Sequence, residues 1–206
     1  MKTITDYRAE TLLMLGDTAG RRYSEAQLDS ALRQALDRLN QYLPVKEICK
    51  VKIAAAEGCE AVLNWCPGPD ANIVRVRDAA GKELNAALRR EAGRTIVSAR
   101  GCRLPSAGEY LFPETALPHR ISGLDGAAGT TVPDSLMQTL CTGAAGYAMR
   151  IRARSVTEVF GKRPEDISHL MVQSGTLLAE FRADLELRCL TAETASDPWP
   201  GPGFPI

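Results

Sequence analysis

The hydrophobic period of this chain changes twice. From Ser24 to Leu43 apolar residues recur every three to four positions, which is the spacing of one helix face. From 46 to 115 short Val- and Ile-rich segments partly alternate apolar with polar residues, and after Pro133 the helical period returns. Such a chain is neither all-helical nor all-β. The pattern predicts an α+β fold: a helical bundle with an inserted small antiparallel β-module and an extended C-terminal arm. The expected domains are a discontinuous helical one (1–45 and 117–190), the β-module (46–116) and the arm (191–206).

Residues 4–15 predict a short helix with Leu12, Leu13 and Leu15 on its apolar side, broken by Gly16 and Gly20. Ser24-Glu25-Ala26-Gln27 forms a capping box, in which the serine oxygen and the glutamine side chain satisfy amides that a first helical turn leaves without partners. Leu28, Leu32, Ala35, Leu39 and Leu43 follow on one face, and Pro44 stops the helix.

The middle region predicts strands at 47–54, 60–65, 73–77 and 94–99. Turn clusters separate them at 57–58, 67–70, 80–81, 92–93 and 105–108. Gly81, in Asp78-Ala79-Ala80-Gly81-Lys82, marks a tight hairpin turn.

After Pro133, Asp134 or Thr131 can cap a helix through Leu136, Leu140, Ala144, Tyr147, Ala148 and Ile151. Gly143-Ala144-Ala145-Gly146 removes side-chain bulk at its centre. Each glycine there costs about 1 kcal/mol relative to alanine, so the sequence implies a neighbouring backbone in close approach, within the chain or on another subunit. A last helix is expected from Pro164 to Leu190, with Ile167, Leu170, Met171, Leu177, Leu178, Phe181 and Leu185 as its apolar stripe. The final ten residues hold four prolines together with Trp199, Phe204 and Ile206. Proline forbids a helix or central strand there. The bulky side chains are anchors for a partner's pockets, unless the segment is simply a frayed terminus.

Composition narrows the function. Apolar residues at 45% and charged residues at 24% describe a folded globular chain. Lys plus Arg equals Asp plus Glu at 25 each, so no global field draws the chain to nucleic acid or an anionic membrane. No signal-peptide pattern opens the sequence, and no apolar run reaches the roughly 18–20 residues of a membrane span; a soluble, cytoplasmically made chain is expected. The cysteines (Cys49, Cys59, Cys66, Cys102, Cys141, Cys189) show no C-x-x-C spacing, so no zinc site is expected and they read as reduced thiols. His119 and His169 lack companion ligands, and Gly123 to Gly129 lacks the Lys-Ser/Thr of a nucleotide loop. The best catalytic set that can be assembled is Cys141 with His119 as base and Asp125 orienting, with Cys141 in mid-helix rather than at an activating helix start. The sequence therefore predicts a non-enzymatic chain without catalytic residues, metal or cofactor. Arg150, Arg152 and Arg154 cluster near one helix end, as a patch facing DNA or a neighbour or as a solvated, internally paired set.

The segments Tyr23-Ser24-Glu25-Ala26-Gln27-Leu28-Asp29-Ser30-Ala31-Leu32, Pro118-His119-Arg120-Ile121-Ser122-Gly123-Leu124-Asp125, Thr130-Thr131-Val132-Pro133 and Thr142-Gly143-Ala144-Ala145-Gly146-Tyr147-Ala148 resemble the head-to-tail adaptor (connector) family of tailed bacteriophages. The resemblance covers roughly residues 20–45 and 117–190, and its motifs are helix-packing patterns rather than reactive groups. It implies a virion protein assembled in the host cytoplasm as a ring of about twelve copies. That ring docks under the capsid portal, extends the DNA channel with non-specific contact to packaged DNA, and presents a surface to the tail or neck. It further implies that residues 191–206 reach the portal, with Trp199, Phe204 and Ile206 as docking residues. The β-module departs from the smallest members of that family. Two other readings stand beside it: a tail-completion or neck protein of the same plan, and a small enzyme or ligand-binding protein using a β-module pocket.

Overall fold

A computed structural model describes residues 2–68, 70–101, 103–157 and 164–194 of the 206. The fold is α+β, and the chain divides into two compact units, one of residues 1–44 with 119–195 and the other built on 45–118.

The first unit is helical: α1 (Ile4–Met14), α2 (Glu25–Tyr42), α3 (Asp134–Thr157) and α4 (Pro164–Thr194). The capping box forms as expected. The Gln27 amide donates to Ser24 Oγ at 3.3 Å, and the Ser24 amide donates to Gln27 Oε1 at 3.0 Å. Leu28, Leu32, Ala35 and Leu39 are all buried. α3 is the axis of the unit, with α1, α2 and α4 all packed on it. Its core joins Tyr7, Leu32, Leu39, Ile121, Leu140, Phe181 and Leu185. Arg8 of α1 clamps α2 through a two-pronged pair with Asp29, at 2.7 and 2.8 Å.

Three details of the helices differ from the expectation. α1 buries Tyr7 and Thr11, while Leu13 is 60% exposed; the leucines of so short a helix cannot all share one face, and Leu13 lies off it. α4 runs to Thr194, four residues into the segment expected as an extended arm, because the first proline falls only at Pro198. On α4, Met171 stays exposed and Ser174 takes the buried position, donating to the Gly146 carbonyl at 2.9 Å.

Among the described residues, the second unit is a seven-stranded antiparallel sheet: β1 (Val45–Ile48), β2 (Val51–Glu57), β3 (Glu60–Leu63), β4 (Asn72–Arg77), β5 (Ala86–Glu91), β6 (Arg94–Ala99) and β7 (Tyr110–Leu117). β7 organises it. β1 and β2 follow one edge of β7 in a single register, Val45 opposite Leu117 and Lys52 opposite Tyr110, and β4 takes the other edge. Pro113 of β7 accepts from the Cys49 amide at 3.0 Å but has no N–H to return the second bond of that pair, and the ladder breaks there, between β1 and β2. β2 continues into β3, β6 and β5. The sheet curls until Arg90 of β5 donates to the Ala71 carbonyl before β4, at 2.5 Å. Its apolar side closes over Ile53, Leu63, Val76, Val97 and Leu111. The Asp78–Gly81 turn forms, with Asp78 Oδ1 accepting from the amides of Ala80 and Lys82 at 2.9 Å each. β5 and β7 lie outside the predicted strands.

Candidate functional site

The close neighbour implied by the small-residue centre of α3 is α4. A Cβ on Gly143 would lie 2.7 Å from the Phe181 ring, and one on Gly146 would lie 2.8 Å from Leu178. Side chains, not a backbone, fill the space. Docking α4 this way leaves a groove of about 420 Å³ in the helical unit, between α4 and α2. Phe181 and Tyr147 floor it, and Gly175, Ala179 and Ala183 form a low wall. Arg38, Arg150 and Arg182 stand on the rim with Glu186. Arg38 lies 4.9 Å from the centre of the Tyr42 ring and donates to Tyr42 Oη at 3.1 Å. Among the described residues, none of the three rim arginines pairs with a carboxylate.

The predicted arginine patch is divided. Arg150 opens into the groove and Arg154 lies one turn further along the same face of α3, since residues four apart share a face. Arg152 points elsewhere, its guanidinium 5.1 Å from the centre of the Tyr23 ring and donating to the Arg22 carbonyl. The sequence reading missed Arg38 and Arg182, which reach the groove from other helices. The predicted anchors Trp199, Phe204 and Ile206 lie outside the described residues.

The hypothetical catalytic set is held in separate partnerships. Cys141 is fully buried, contacts the Tyr7 carbonyl at 3.7 Å, and burial pushes its thiol up to about 12. His119 Nδ1 lies 3.0 Å from the Thr131 carbonyl, and burial holds its imidazole below the ordinary value. Asp125 pairs with Arg33 at 2.7 Å. A protonated thiol without a base cannot act as a nucleophile at neutral pH. In the β-unit, a depression of about 650 Å³ is lined by Lys50, Lys52, Asn64 and Trp65 with aliphatic and glycine neighbours. Among the described residues, no three His, Cys, Asp or Glu side chains gather as metal ligands, and no helix is long and apolar enough to cross a membrane.

No known family matches the sequence, and no curated protein matches it. Among solved structures, the chain is similar to one described as the neck of an empty GTA particle computed with C6 symmetry. That match has 20% identity over 81% of this chain and 87% of that one, with a TM-score of 0.25.

Proposed function

We propose that this chain is a virion structural protein, a head-to-tail adaptor whose copies form a ring of about twelve beneath the capsid portal. The ring extends the DNA channel and offers a surface to the tail or neck. The observation that carries the reading is the discontinuous helical unit. Early helices α1 and α2 and late helices α3 and α4 pack together although the β-unit separates them in sequence, which is the plan that the residue resemblance implies. The groups of the hypothetical catalytic set are committed to structure: the Cys141 thiol is buried and protonated, and Asp125 is paired. A chain built this way acts by fitting against other shells rather than by turnover.

Portal contact is assigned to Trp199, Phe204 and Ile206, beyond the end of α4. Arg150 and Arg154 are assigned to a neighbouring copy or to the DNA phosphates, a contact that needs positive charge and no base reading. Deleting residues 195–206 tests the docking assignment. Far-ultraviolet circular dichroism should be unchanged while co-sedimentation with purified portal disappears. Portal binding that survives the deletion removes the assignment.

A further inference from the structure

We propose that the arginine-rimmed groove between α2 and α4 receives helix α1 of a second copy of this chain. The inference rests on the assembly reading above and names the surfaces that would join neighbouring copies.

Two observations on the helical unit fit each other. The groove offers Gly175, Ala179 and Ala183 at four-residue intervals on one face of α4, so a helix axis can come close there. Its rim carries Arg38, Arg150 and Arg182 with no carboxylate partner among the described residues. The outer face of α1 carries the complementary set. Asp6, Ala9, Glu10 and Leu13 fall at i, i+3, i+4 and i+7 and so share a side, with Leu13 60% exposed. Arg8, the cation of that helix, is turned away and engaged by Asp29 and Glu25. Lys2, beside the face, pairs with Asp134 at 3.3 Å.

Size agrees with charge. α1 has 11 residues, about 16 Å at 1.5 Å per residue, and Gly175 to Ala183 spans about 12 Å of α4. In the paired arrangement Leu13 enters over the small-residue wall and Glu10 meets the guanidiniums, which favour carboxylates in two-pronged contact, while Asp6, whose Oδ2 accepts from the Thr3 amide and hydroxyl as part of the α1 cap, adds negative charge beside it. Glu186 also stands on the rim; the three arginines outnumber it. The two surfaces share no residue, so each copy can give α1 to one neighbour and its groove to another. That head-to-tail pairing closes into a ring when the rotation per copy divides a full turn.

A reciprocal charge swap tests this. One variant, Glu10→Lys with Leu13→Lys, places cations on the α1 face. The other, Arg150→Glu with Arg182→Glu, places anions on the groove. All four positions are at least partly exposed, and matching thermal melts establish that both variants are folded. Wild-type protein should self-associate with concentration in sedimentation velocity and dissociate in high salt. Each variant alone should associate about 100-fold more weakly, because like charges now face each other. An equimolar mixture should recover assembly, with the two chains in a 1:1 ratio, since Lys-bearing faces then meet Glu-bearing grooves and native faces meet native grooves.

Wild-type protein that stays monomeric, variants that assemble like wild type, or a mixture that gains nothing over its components would each overturn the pairing. Portal co-sedimentation of wild type, measured separately, distinguishes the two readings. Portal binding with wild-type-like variant assembly removes this interface alone. Swap-restored assembly without portal binding removes the adaptor function alone.

Discussion

Phe181 of α4 presses its ring into the space left by the missing Cβ of Gly143 on α3, at a separation where a methyl group would lie 2.7 Å from two ring carbons. An aromatic ring pinned in a core has little freedom to give way. Overpacking of this kind costs about 1–3 kcal/mol, against about 1 kcal/mol regained from the better helix propensity of alanine. Gly143→Ala should therefore lower stability by up to about 2 kcal/mol, read as a fall in the urea midpoint of the helical unit. A midpoint that rises would show that α4 yields easily.

Gly175 supplies the opposite case on the facing helix. A Cβ added there meets nothing within 4 Å, so only the propensity term remains. Gly175→Ala should stabilise the chain by about 0.5–1 kcal/mol. If the groove holds a second copy's α1, the same change should weaken self-association by narrowing the groove. Equal or stronger association by a stabilised variant would separate the two effects and count against the pairing.

The legible parts of the fold were those where local signals agree. α2 has a capping box, a four-residue leucine spacing and a terminating proline, and its burial follows that pattern. β7 was hidden because two of its residues contradict a central strand. Pro113 lacks a donor, and Glu114 is charged, yet the strand is paired on both edges. The proline sits at the break between β1 and β2, where a single return bond is forfeited, and the glutamate finds the partly exposed cations Arg75 and Lys46; neither arrangement is visible before the partners are known. β5 was hidden for a related reason: Ala86-Ala87-Leu88-Arg89-Arg90-Glu91 presents mostly exposed side chains. The groove was half legible. Arg150 was singled out by its local cluster, but Arg38 and Arg182 come from helices far away in sequence, so only tertiary packing joins them.

Cys141 should be chemically silent in the native chain. It is fully buried, with its thiol raised to about 12 by burial, whereas Cys59 and Cys66 are exposed. The thiolate is the reactive form, and at neutral pH Cys141 has almost none. Mass spectrometry after iodoacetamide treatment should find Cys59 and Cys66 modified early and Cys141 modified only at the rate of unfolding. Rapid native labelling of Cys141 would contradict its placement.

Glu114 is a buried charge on β7, the strand paired along both edges. It stands opposite Ile48 and Arg75 across the two edges of β7, with Arg75 Nε 2.8 Å from one carboxylate oxygen and Lys46 Nζ 4.0 Å from the other. Its side chain is 5% exposed and that of Arg75 28%. Breaking a buried pair from one side costs about 3–5 kcal/mol, and partial exposure of the arginine places this case lower, at about 2–3 kcal/mol. Glu114→Ala should lose that much in urea unfolding followed at Trp65, with Glu114→Gln losing less because an acceptor remains. Indistinguishable midpoints for the three proteins would mean that the pair adds nothing.

His119 gives the helical unit an acid-side weakness. Burial lowers its imidazole below the ordinary 6.5, outweighing the Thr131 and Leu43 carbonyls that act in the other direction. Its amide also donates to Asn40 Oδ1 at 2.7 Å, tying the segment before α3 to α2. The folded state therefore favours the neutral ring, and the unfolded chain takes up a proton first as pH falls. The stability is fully present above 6.5 and is lost as pH drops from there through the folded-state value. Urea midpoints should begin to fall as pH drops below about 6.5, above the range where most carboxylates titrate. His119→Gln, which keeps a donor for Thr131 and removes the titration, should flatten that decline while changing the midpoint at pH 7 only modestly. An identical slope in the two proteins would show that His119 is not the group responsible.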